Sequence, residues 1–213
     1  MTDTIEIMSV ELVIVADLSI KIVQSIGSVL HGVLMELVGT DYAGQLHEAG
    51  LRPYNQYVYF DKDRTILEET SYEDLIHKFW SSDSLYTQAK LQCMSTTSFK
   101  VDKQYTIFPE AFRIYRYLLR QWNQFSTFGM LDTDSILGDL EAGVFIRDYN
   151  LRMGIYGLEG VKIRGFRGQV VMQFKRNVEM QRVLALLSYY SQFTGLGIKT
   201  ALGMGGIKCE VIE

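Results

Sequence analysis

The sequence has few of the residues that build disulfide frameworks and metal sites. It contains two cysteines, Cys93 and Cys209, and three histidines among 213 residues. Two cysteines cannot form the framework of a small secreted protein, and no CxxC pair or Cys/His cluster is present to bind zinc. We therefore expect an intracellular protein without a structural metal.

Long hydrophobic runs and a basic N-terminal signal are absent as well. The longest apolar-rich run without a charged residue extends from Ile22 to Met35, which is 14 residues. A helix that spans a bilayer needs about 18 or more. Residues Met1–Glu6 are acidic, whereas a secretory signal begins with basic residues. These features predict a cytoplasmic protein with no membrane partner.

The chain as a whole also lacks an excess of positive charge, but its charges are unevenly distributed. The formal net charge is −4, which argues against nonspecific binding of nucleic acid. Residues 1–108 contain 8 basic and 15 acidic residues, whereas residues 109–213 contain 13 and 10. Residues 161–208 contain eight basic residues and one acidic residue, Glu179. This region is expected to bind an anionic ligand, although a solvated basic surface explains the charge equally well.

The sequence does contain enough apolar residues for a core, since they make up 47% of the chain. In the first half we predict a strand at Ile5–Val15, then a helix that ends near Gly39, and a second helix at Tyr72–Trp80. Further strands are predicted around residues 57–60, 65–67 and 85–99. The first helix carries an apolar stripe that we expect in the core: Ile22, Ile26, Val29, Val33 and Leu37.

The second half repeats this order more clearly. Pro109 and Glu110 are typical of a helix start, and apolar residues follow at helical spacing up to Trp122. The remaining predicted elements are strands at Val144–Tyr156 and Val161–Phe174, a helix at Glu179–Phe193 and a final strand at Ile207–Ile212. The pattern predicts an α+β fold of two tandem ferredoxin-like domains, similar to many RNA-recognition modules, at residues 1–105 and 106–213.

The strongest local signal is a glycine-rich segment near the C-terminus. Five of the 18 glycines lie within twelve residues: Gly195, Gly197, Gly203, Gly205 and Gly206. Such a segment lets the backbone approach a ligand and present N–H groups to phosphate oxygens. It matches neither GxxxxGK[ST] nor GxGxxG, and it follows a predicted helix rather than a strand. A flexible turn is the alternative interpretation.

Four segments resemble, in the same order, segments of the CRISPR repeat-processing endoribonucleases of the Cas6 family. The most specific is the glycine-rich run FTGLGIKTALGMGG, which begins at Phe193. The other three are shorter: LHEAGLRPY from Leu46, PEAFRIYRYLLRQWN from Pro109 and VKIRGFRGQV from Val161. The family's fold is a pair of tandem ferredoxin-like domains, which agrees with the pattern of elements above.

The resemblance implies metal-independent cleavage of CRISPR precursor RNA within its repeats. The RNA supplies its own nucleophile, because a 2′-hydroxyl attacks the adjacent phosphate and leaves a 2′,3′-cyclic phosphate and a 5′-hydroxyl. The enzyme needs groups that transfer protons near neutral pH and a cation that stabilises the phosphorane. No metal ion or other cofactor is implied.

The resemblance places the family's catalytic histidine at His47, with Arg52 near the expected basic position as the stabiliser of charge. His31 is a second catalytic candidate, because it lies off the apolar stripe of the first helix. Some family members add a tyrosine to the site, and Tyr42 and Tyr54 are nearby candidates for it. A structural role is the alternative for His47, because its neighbours in the sequence are acidic.

The expected RNA-binding residues all lie in the second half of the chain. They are Gly195, Gly197, Lys199, Gly203, Gly205, Gly206, Lys162, Arg164 and Arg167. The expected partner is CRISPR repeat RNA, and 13 Tyr and 11 Phe allow a homodimer. Two other functions stay open: a non-catalytic RNA-binding subunit that joins other subunits of a CRISPR effector complex, and an enzyme that binds a small phosphate ligand at the glycine-rich segment.

Overall fold

The computed structural model shows a mixed fold of helices and antiparallel strands. It describes residues 7–9, 26–38, 43–44, 54–57, 68–81, 83–158, 160–175 and 177–213. The elements are β1 (Ile7–Ser9), α1 (Gly27–Val38), β2 (Glu68–Thr70), α2 (Tyr72–Trp80), β3 (Gln88–Thr97), β4 (Lys100–Val101), β5 (Gln104–Tyr105), α3 (Ala111–Phe125), α4 (Thr133–Gly143), β6 (Val144–Leu158), β7 (Val161–Phe174), α5 (Val178–Thr194), a 3₁₀ turn (Thr200–Leu202) and β8 (Ile207–Ile212). The predicted bounds of α2 and β8 are confirmed to the residue.

A four-stranded antiparallel sheet organises the C-terminal part of the molecule. Its strand order is β6-β7-β3-β8, and Cys93 of β3 lies opposite both Gly168 of β7 and Ile207 of β8. The elements β3, α3, β6, β7, α5 and β8 follow the strand–helix–strand–strand–helix–strand order of a ferredoxin-like unit. The predicted α+β, ferredoxin-like fold is therefore confirmed.

Strand β3 lies ahead of the predicted division of the chain between residues 105 and 106. It pairs with β7 on one side and with β8 on the other. The sheet of the second half thus takes an inner strand from the first half. The domain bounds 1–105 and 106–213 stay a prediction, and the pairing favours a boundary ahead of Gln88.

The main core lies between one face of this sheet and the helices α3 and α5. Burial alternates along β3, and its buried residues Ala89, Leu91 and Cys93 belong to the core cluster. Alternation with period two places these three side chains on one face of the strand. Helix α3 contributes residues at helical spacing to the same cluster: Ile114, Tyr115, Leu118, Leu119 and Trp122. We call the other face of the sheet, which α3 and α5 do not cover, the open face.

Three aromatic side chains hold α2 against the helices. Tyr72 of α2 meets Trp122 of α3 edge-to-face at 5.1 Å between ring centroids, and Trp122 meets Tyr190 of α5 at 5.2 Å. Ser71 and Asp74 fix the start of α2, because each side chain accepts a hydrogen bond from the other residue's backbone N–H. This capping box satisfies two backbone donors that the helix itself leaves without acceptors. The sequence pattern and the packing thus agree on where α2 begins.

The prediction that the apolar stripe of α1 lies in the core is wrong for the described residues. Val29, Val33 and Leu37 are 60%, 48% and 78% exposed. Helix α1 instead contacts the 3₁₀ turn through its first residue, Gly27, where a Cβ atom would lie 2.4 Å from the carbonyl oxygen of Leu202. Among the described residues, the start of the helix contacts the glycine-rich segment, whereas the apolar stripe is exposed.

Two further elements differ from the predictions. Helix α4 was not predicted, although Asp132 accepts hydrogen bonds from two backbone N–H groups at its start. Of the predicted strand Ile5–Val15, residues Ile7–Ser9 form β1, which pairs with β2. The rest of that strand lies outside the described residues.

We expect Trp122→Ala to lower the free energy of unfolding by about 3–5 kcal/mol, because it leaves a cavity among aromatic rings. Trp122 is 1% exposed, and its indole N–H donates to the carbonyl of Gly129 at 3.1 Å. The matched control is Trp80→Ala, since Trp80 is only half-buried. Denaturant unfolding followed by far-ultraviolet circular dichroism measures both losses. Equal losses would contradict the placement of Trp122 at the centre of the helical packing.

Candidate functional site

A cleft of about 750 Å³ lies between α1, α3 and the glycine-rich segment. Its walls carry a histidine, two lysines and three arginines: His31, Lys100, Lys199, Arg113, Arg116 and Arg120. The remaining lining is mostly apolar or amide, including Phe99, Tyr117 and Gln121. A cleft of this size with several convergent cations can bind an extended polyanion.

The three arginines form a row along α3. Their spacing of three and then four residues places them on one face of the helix, away from the buried apolar face. Arg113 forms an ion pair with Glu110 at 3.0 Å, whereas Arg116 and Arg120 are exposed. No described carboxylate forms a salt bridge with Arg116 or Arg120. Two guanidinium groups are thus available to an anion in the cleft.

The sequence analysis did not select this row of arginines. The signal was nevertheless present, because residues 113, 116 and 120 share a helical face that the apolar residues of α3 leave uncovered. The predicted RNA-binding residues were instead chosen from the glycine-rich segment and the basic segment that begins at Val161.

The five glycines of the glycine-rich segment are all buried. At Gly197 the backbone has a φ of +87°, and a Cβ atom would lie 2.1 Å from the carbonyl oxygen of Ser98. The close approach that requires glycine at this position is therefore to the end of β3, not to an exposed surface. Lys199 is exposed in a left-handed conformation, with a φ of 58°. The segment therefore folds against the protein and presents this lysine to the cleft.

A short segment, residues 54–57, ties α1 to the glycine-rich segment. The side-chain amide of Gln56 donates to the carbonyl of Gly27 at 2.7 Å and to that of Ala201 at 2.5 Å. Its backbone N–H donates to the carbonyl of Thr200 at 3.1 Å. The amide of Asn55 donates to the carbonyl of Phe193. These bonds fix the helix that carries His31 relative to the loop that carries Lys199.

His31, which lines the cleft, forms a hydrogen-bonded pair with Tyr54. The Tyr54 hydroxyl lies 2.8 Å from Nδ1 of His31, and the two rings are stacked within 17° of parallel. His31 is half-buried. Imidazole is the side chain best suited to proton transfer near neutral pH, and a bond at Nδ1 orients the ring. The pair can therefore act as an oriented acid or base.

The structure gathers some predicted site residues and separates others. His31 and Lys199 line the cleft, together with Gly197. Lys162 and Arg164 are exposed on β7, and neither is among the described residues of the cleft wall. Arg167 lies on the opposite face of β7, because residues an odd number apart point to opposite faces. His47 and Arg52 lie outside the described residues.

The described residues contain neither a cluster of metal ligands nor a helix that could span a membrane. No group of three or more His, Cys, Asp and Glu side chains in these parts of the chain is placed to hold a metal ion. Within the same ranges, every helix is too short or too polar to cross a bilayer.

Comparisons with known proteins point to one family. The model for the CRISPR-associated endoribonuclease Cas6 family matches residues 91–207. A CRISPR-associated endoribonuclease Cas6 of Streptococcus thermophilus is 24% identical in an alignment 224 positions long. The alignment covers 88% of this chain and 92% of the relative. A solved Cas6 product complex superposes with a TM-score of 0.74 at 18% identity, over 87% of this chain and 94% of the other. The structure of Thermus thermophilus Cas6 superposes with a TM-score of 0.66 at 21% identity, over 84% of this chain and 89% of the other.

We expect Gly197→Ala to destabilise the protein by about 2 kcal/mol or more, because alanine is strained at this φ and its methyl group would meet the Ser98 carbonyl. The matched control is Gly157→Ala, where a Cβ atom meets nothing within 4 Å. The control should change stability by less than about 0.5 kcal/mol. Thermal and denaturant unfolding of both variants measure the difference. A normal stability of Gly197→Ala would show that the loop does not pack on β3 as described.

Proposed function

The chain belongs to the family of CRISPR-associated endoribonucleases Cas6, and from that premise we propose that it cleaves CRISPR precursor RNA within the repeats. Cleavage takes place in the cleft between α1, α3 and the glycine-rich segment, and the protein acts in the cytoplasm. The observation that carries this proposal is that His31, which is hydrogen-bonded to Tyr54, lines the same cleft as the exposed residues Arg116 and Arg120. Proton-transfer groups and phosphate-binding groups are what RNA cleavage requires.

The cations of the cleft hold the RNA backbone. Arg116 and Arg120 can each bind a phosphate with two parallel hydrogen bonds, and Lys199 adds a flexible point charge. The glycines support this contact by shaping the segment that presents Lys199. Direct contacts of their N–H groups with RNA stay a prediction. Lys162 and Arg164, which are exposed on β7 and are not among the described residues of the cleft lining, keep their predicted role of binding phosphates.

The proposed reaction needs no metal, because the RNA supplies the nucleophile. A base takes the proton of the 2′-hydroxyl, O2′ forms a bond to phosphorus, and the bond from phosphorus to O5′ breaks. An acid then gives its proton to O5′. The products are a 2′,3′-cyclic phosphate and a 5′-hydroxyl. A nearby cation stabilises the extra negative charge of the phosphorane.

Two proton transfers suit two histidines. We assign one of them to His31, whose ring Tyr54 orients, and the other to His47, the residue that the family resemblance indicates. Arg52 keeps its predicted role as stabiliser of the phosphorane. Arg120 and Lys199, which line the same cleft as His31, bind the flanking phosphates.

The first test is cleavage in EDTA of a labelled RNA that contains the CRISPR repeat of the protein's own genome. We expect one discrete cut with a 2′,3′-cyclic phosphate end, and no cut when the RNA carries a single 2′-deoxy at that position. His31→Ala and His47→Ala should each lower the cleavage rate by about a hundredfold or more without weakening RNA binding. Tyr54→Phe, which keeps the ring and removes only the hydroxyl, should give a smaller loss.

The results distinguish the proposed roles of His31 and His47 from each other and from RNA binding without cleavage. Cleavage at the normal rate by His31→Ala would remove His31 from the mechanism and leave His47 as the candidate. Tight binding with no cut in any buffer would favour the non-catalytic RNA-binding subunit. Loss of RNA binding in His31→Ala would point to a contact with the RNA rather than to proton transfer.

We expect Arg120→Gln to weaken binding of the same RNA by about tenfold, which corresponds to one hydrogen bond to a charged group. It should also reduce, by about one, the slope of the logarithm of the binding constant against the logarithm of the salt concentration. The control is Arg147→Gln, which removes the same charge from an exposed residue outside the cleft lining. Filter binding or fluorescence anisotropy at several salt concentrations measures both effects. Equal losses in the two variants would show that only net charge matters.

A further inference from the structure

The lining of the cleft contains apolar and aromatic side chains as well as cations. They include Phe99, Tyr117, Ile198 and Leu202. The rings of Phe99 and Tyr117 meet edge-to-face, with 5.9 Å between their centroids. Contacts with phosphates account for the arginines and lysines of the cleft, but not for these side chains. Single-stranded RNA needs both kinds of surface, because its bases pack on aromatic and apolar side chains.

Gln121 of α3 has a buried polar atom at the same cleft. The residue lines the cleft, and it is 1% exposed. Its Nε2 donates to the hydroxyl of Tyr117 at 2.7 Å. Its Oε1 is buried and accepts no hydrogen bond from the described residues. Leaving a buried acceptor unpaired costs stability, and native proteins contain few such groups. A donor on a ligand in the cleft would satisfy this atom.

Tyr117 fixes the direction of the Gln121 amide. The two residues are four positions apart on α3, which places them on the same face of the helix. The Tyr117 hydroxyl also forms a hydrogen bond with the side chain of Thr200 in the glycine-rich segment. Burial raises the pKa of Tyr117, so its hydroxyl keeps its proton near neutral pH. Tyr117 therefore holds the amide in place and does not take part in proton transfer.

The unpaired atom indicates which part of an RNA would bind to it. Oε1 of Gln121 is an acceptor and needs a donor. A phosphodiester offers only acceptors at neutral pH, whereas every base has an N–H group on its edge. Side-chain amides are common partners of base edges, and a base also has an apolar face for the aromatic and apolar lining. The chemistry of this part of the cleft is therefore that of a site for an unpaired base.

A base reaches the Gln121 amide only if a neighbouring side chain shifts, because the residue is almost fully buried. The exposed residues Arg120 and Lys199 line the same cleft. Exposed side chains of this kind change rotamer within nanoseconds. Phosphates of a bound RNA attract both cations, so binding of the backbone can accompany the shift that opens the amide to a base.

We propose that Gln121, held by Tyr117, binds an unpaired base of the RNA substrate in the cleft and is a specificity-determining residue of this protein. The inference rests on the proposed function and deepens it. Phosphate contacts are the same at every nucleotide and carry no sequence information, whereas a base contact distinguishes one sequence from another.

The test combines one protein variant with RNAs that are changed at one base. The RNA is the CRISPR repeat with a 2′-deoxy at the cleavage point, which prevents cutting during the binding measurement. Each unpaired nucleotide near that point is replaced in turn by an abasic nucleotide. We expect one position at which the replacement weakens binding to the unaltered protein by about tenfold. Gln121→Met should weaken binding of the intact RNA by a similar factor, with no further loss at that position. Such non-additivity shows a direct contact between the two groups.

The matched control is Gln124→Met, which makes the same substitution on the same helix. Gln124 is exposed and is not among the described residues of the cleft lining. This variant should bind every RNA of the series as the unaltered protein does. Melting curves check the fold of both variants. If Gln121→Met does not fold, Gln121→Asn replaces it with the same expected loss, because it keeps an amide but withdraws it by one methylene group.

Four outcomes would overturn the proposal. They are unchanged affinity of Gln121→Met, losses that add at every position of the RNA, an equal effect of Gln124→Met, and an equal loss when only the 2′-hydroxyl is removed at the position that depends on Gln121. The last outcome would indicate a contact with ribose rather than with the base. If one base depends on Gln121 but the unblocked repeat is not cut, the proposed function fails and this inference stands. If the repeat is cut at one point but no base depends on Gln121, this inference fails alone.

Discussion

The packing of the glycine-rich segment against the end of β3 is the constraint on which the candidate site depends. The backbone N–H of Ile198 donates to the carbonyl of Ser98 at 2.9 Å, and that of Gly205 donates to the carbonyl of Thr96 at 3.0 Å. These bonds satisfy buried backbone groups beyond the regular ladder of the sheet, and leaving such groups unpaired would be costly. Because the loop is fixed to the sheet, Lys199 keeps a defined position. The tie through residues 54–57 then brings α1 to the same place.

The sequence predicted those parts of the fold whose signals are local. The capping pair Ser71 and Asp74 and the apolar spacing of α2 define that helix, and β8 is a short alternation of apolar and polar residues that follows two glycines. Which strands pair with one another is not a local property of the sequence. A strand was predicted at 85–99, a range that contains β3, but nothing in its residues shows that it pairs with β7 and β8. The stripe of α1 has helical periodicity, which indicates an amphipathic helix but not whether another element covers it.

For the candidate site as well, local sequence signals predicted some features but not which residues meet in space. Glycine density indicated that the backbone approaches another group closely, and at Gly197 one such group is the carbonyl of Ser98. Contacts of these glycines with RNA stay a prediction. Lys162, Arg164 and Arg167 were grouped as one phosphate-binding set because they are neighbours in the sequence. The alternation of side chains along a strand separates Arg167 from the other two, and this could have been derived from the predicted strand alone. The pairing of His31 with Tyr54 joins residues that are 23 positions apart, and no periodicity predicts such a contact.

The two faces of the sheet obey different physical demands. The face toward α3 and α5 is closely packed, and a change there costs stability through cavities or strain. The open face is only partly buried, and cross-strand pairs such as Lys90 with Glu210 at 3.3 Å lie along it. Because β3 also runs to the edge of the cleft, which Phe99 lines, the strand that organises the core also positions the candidate site.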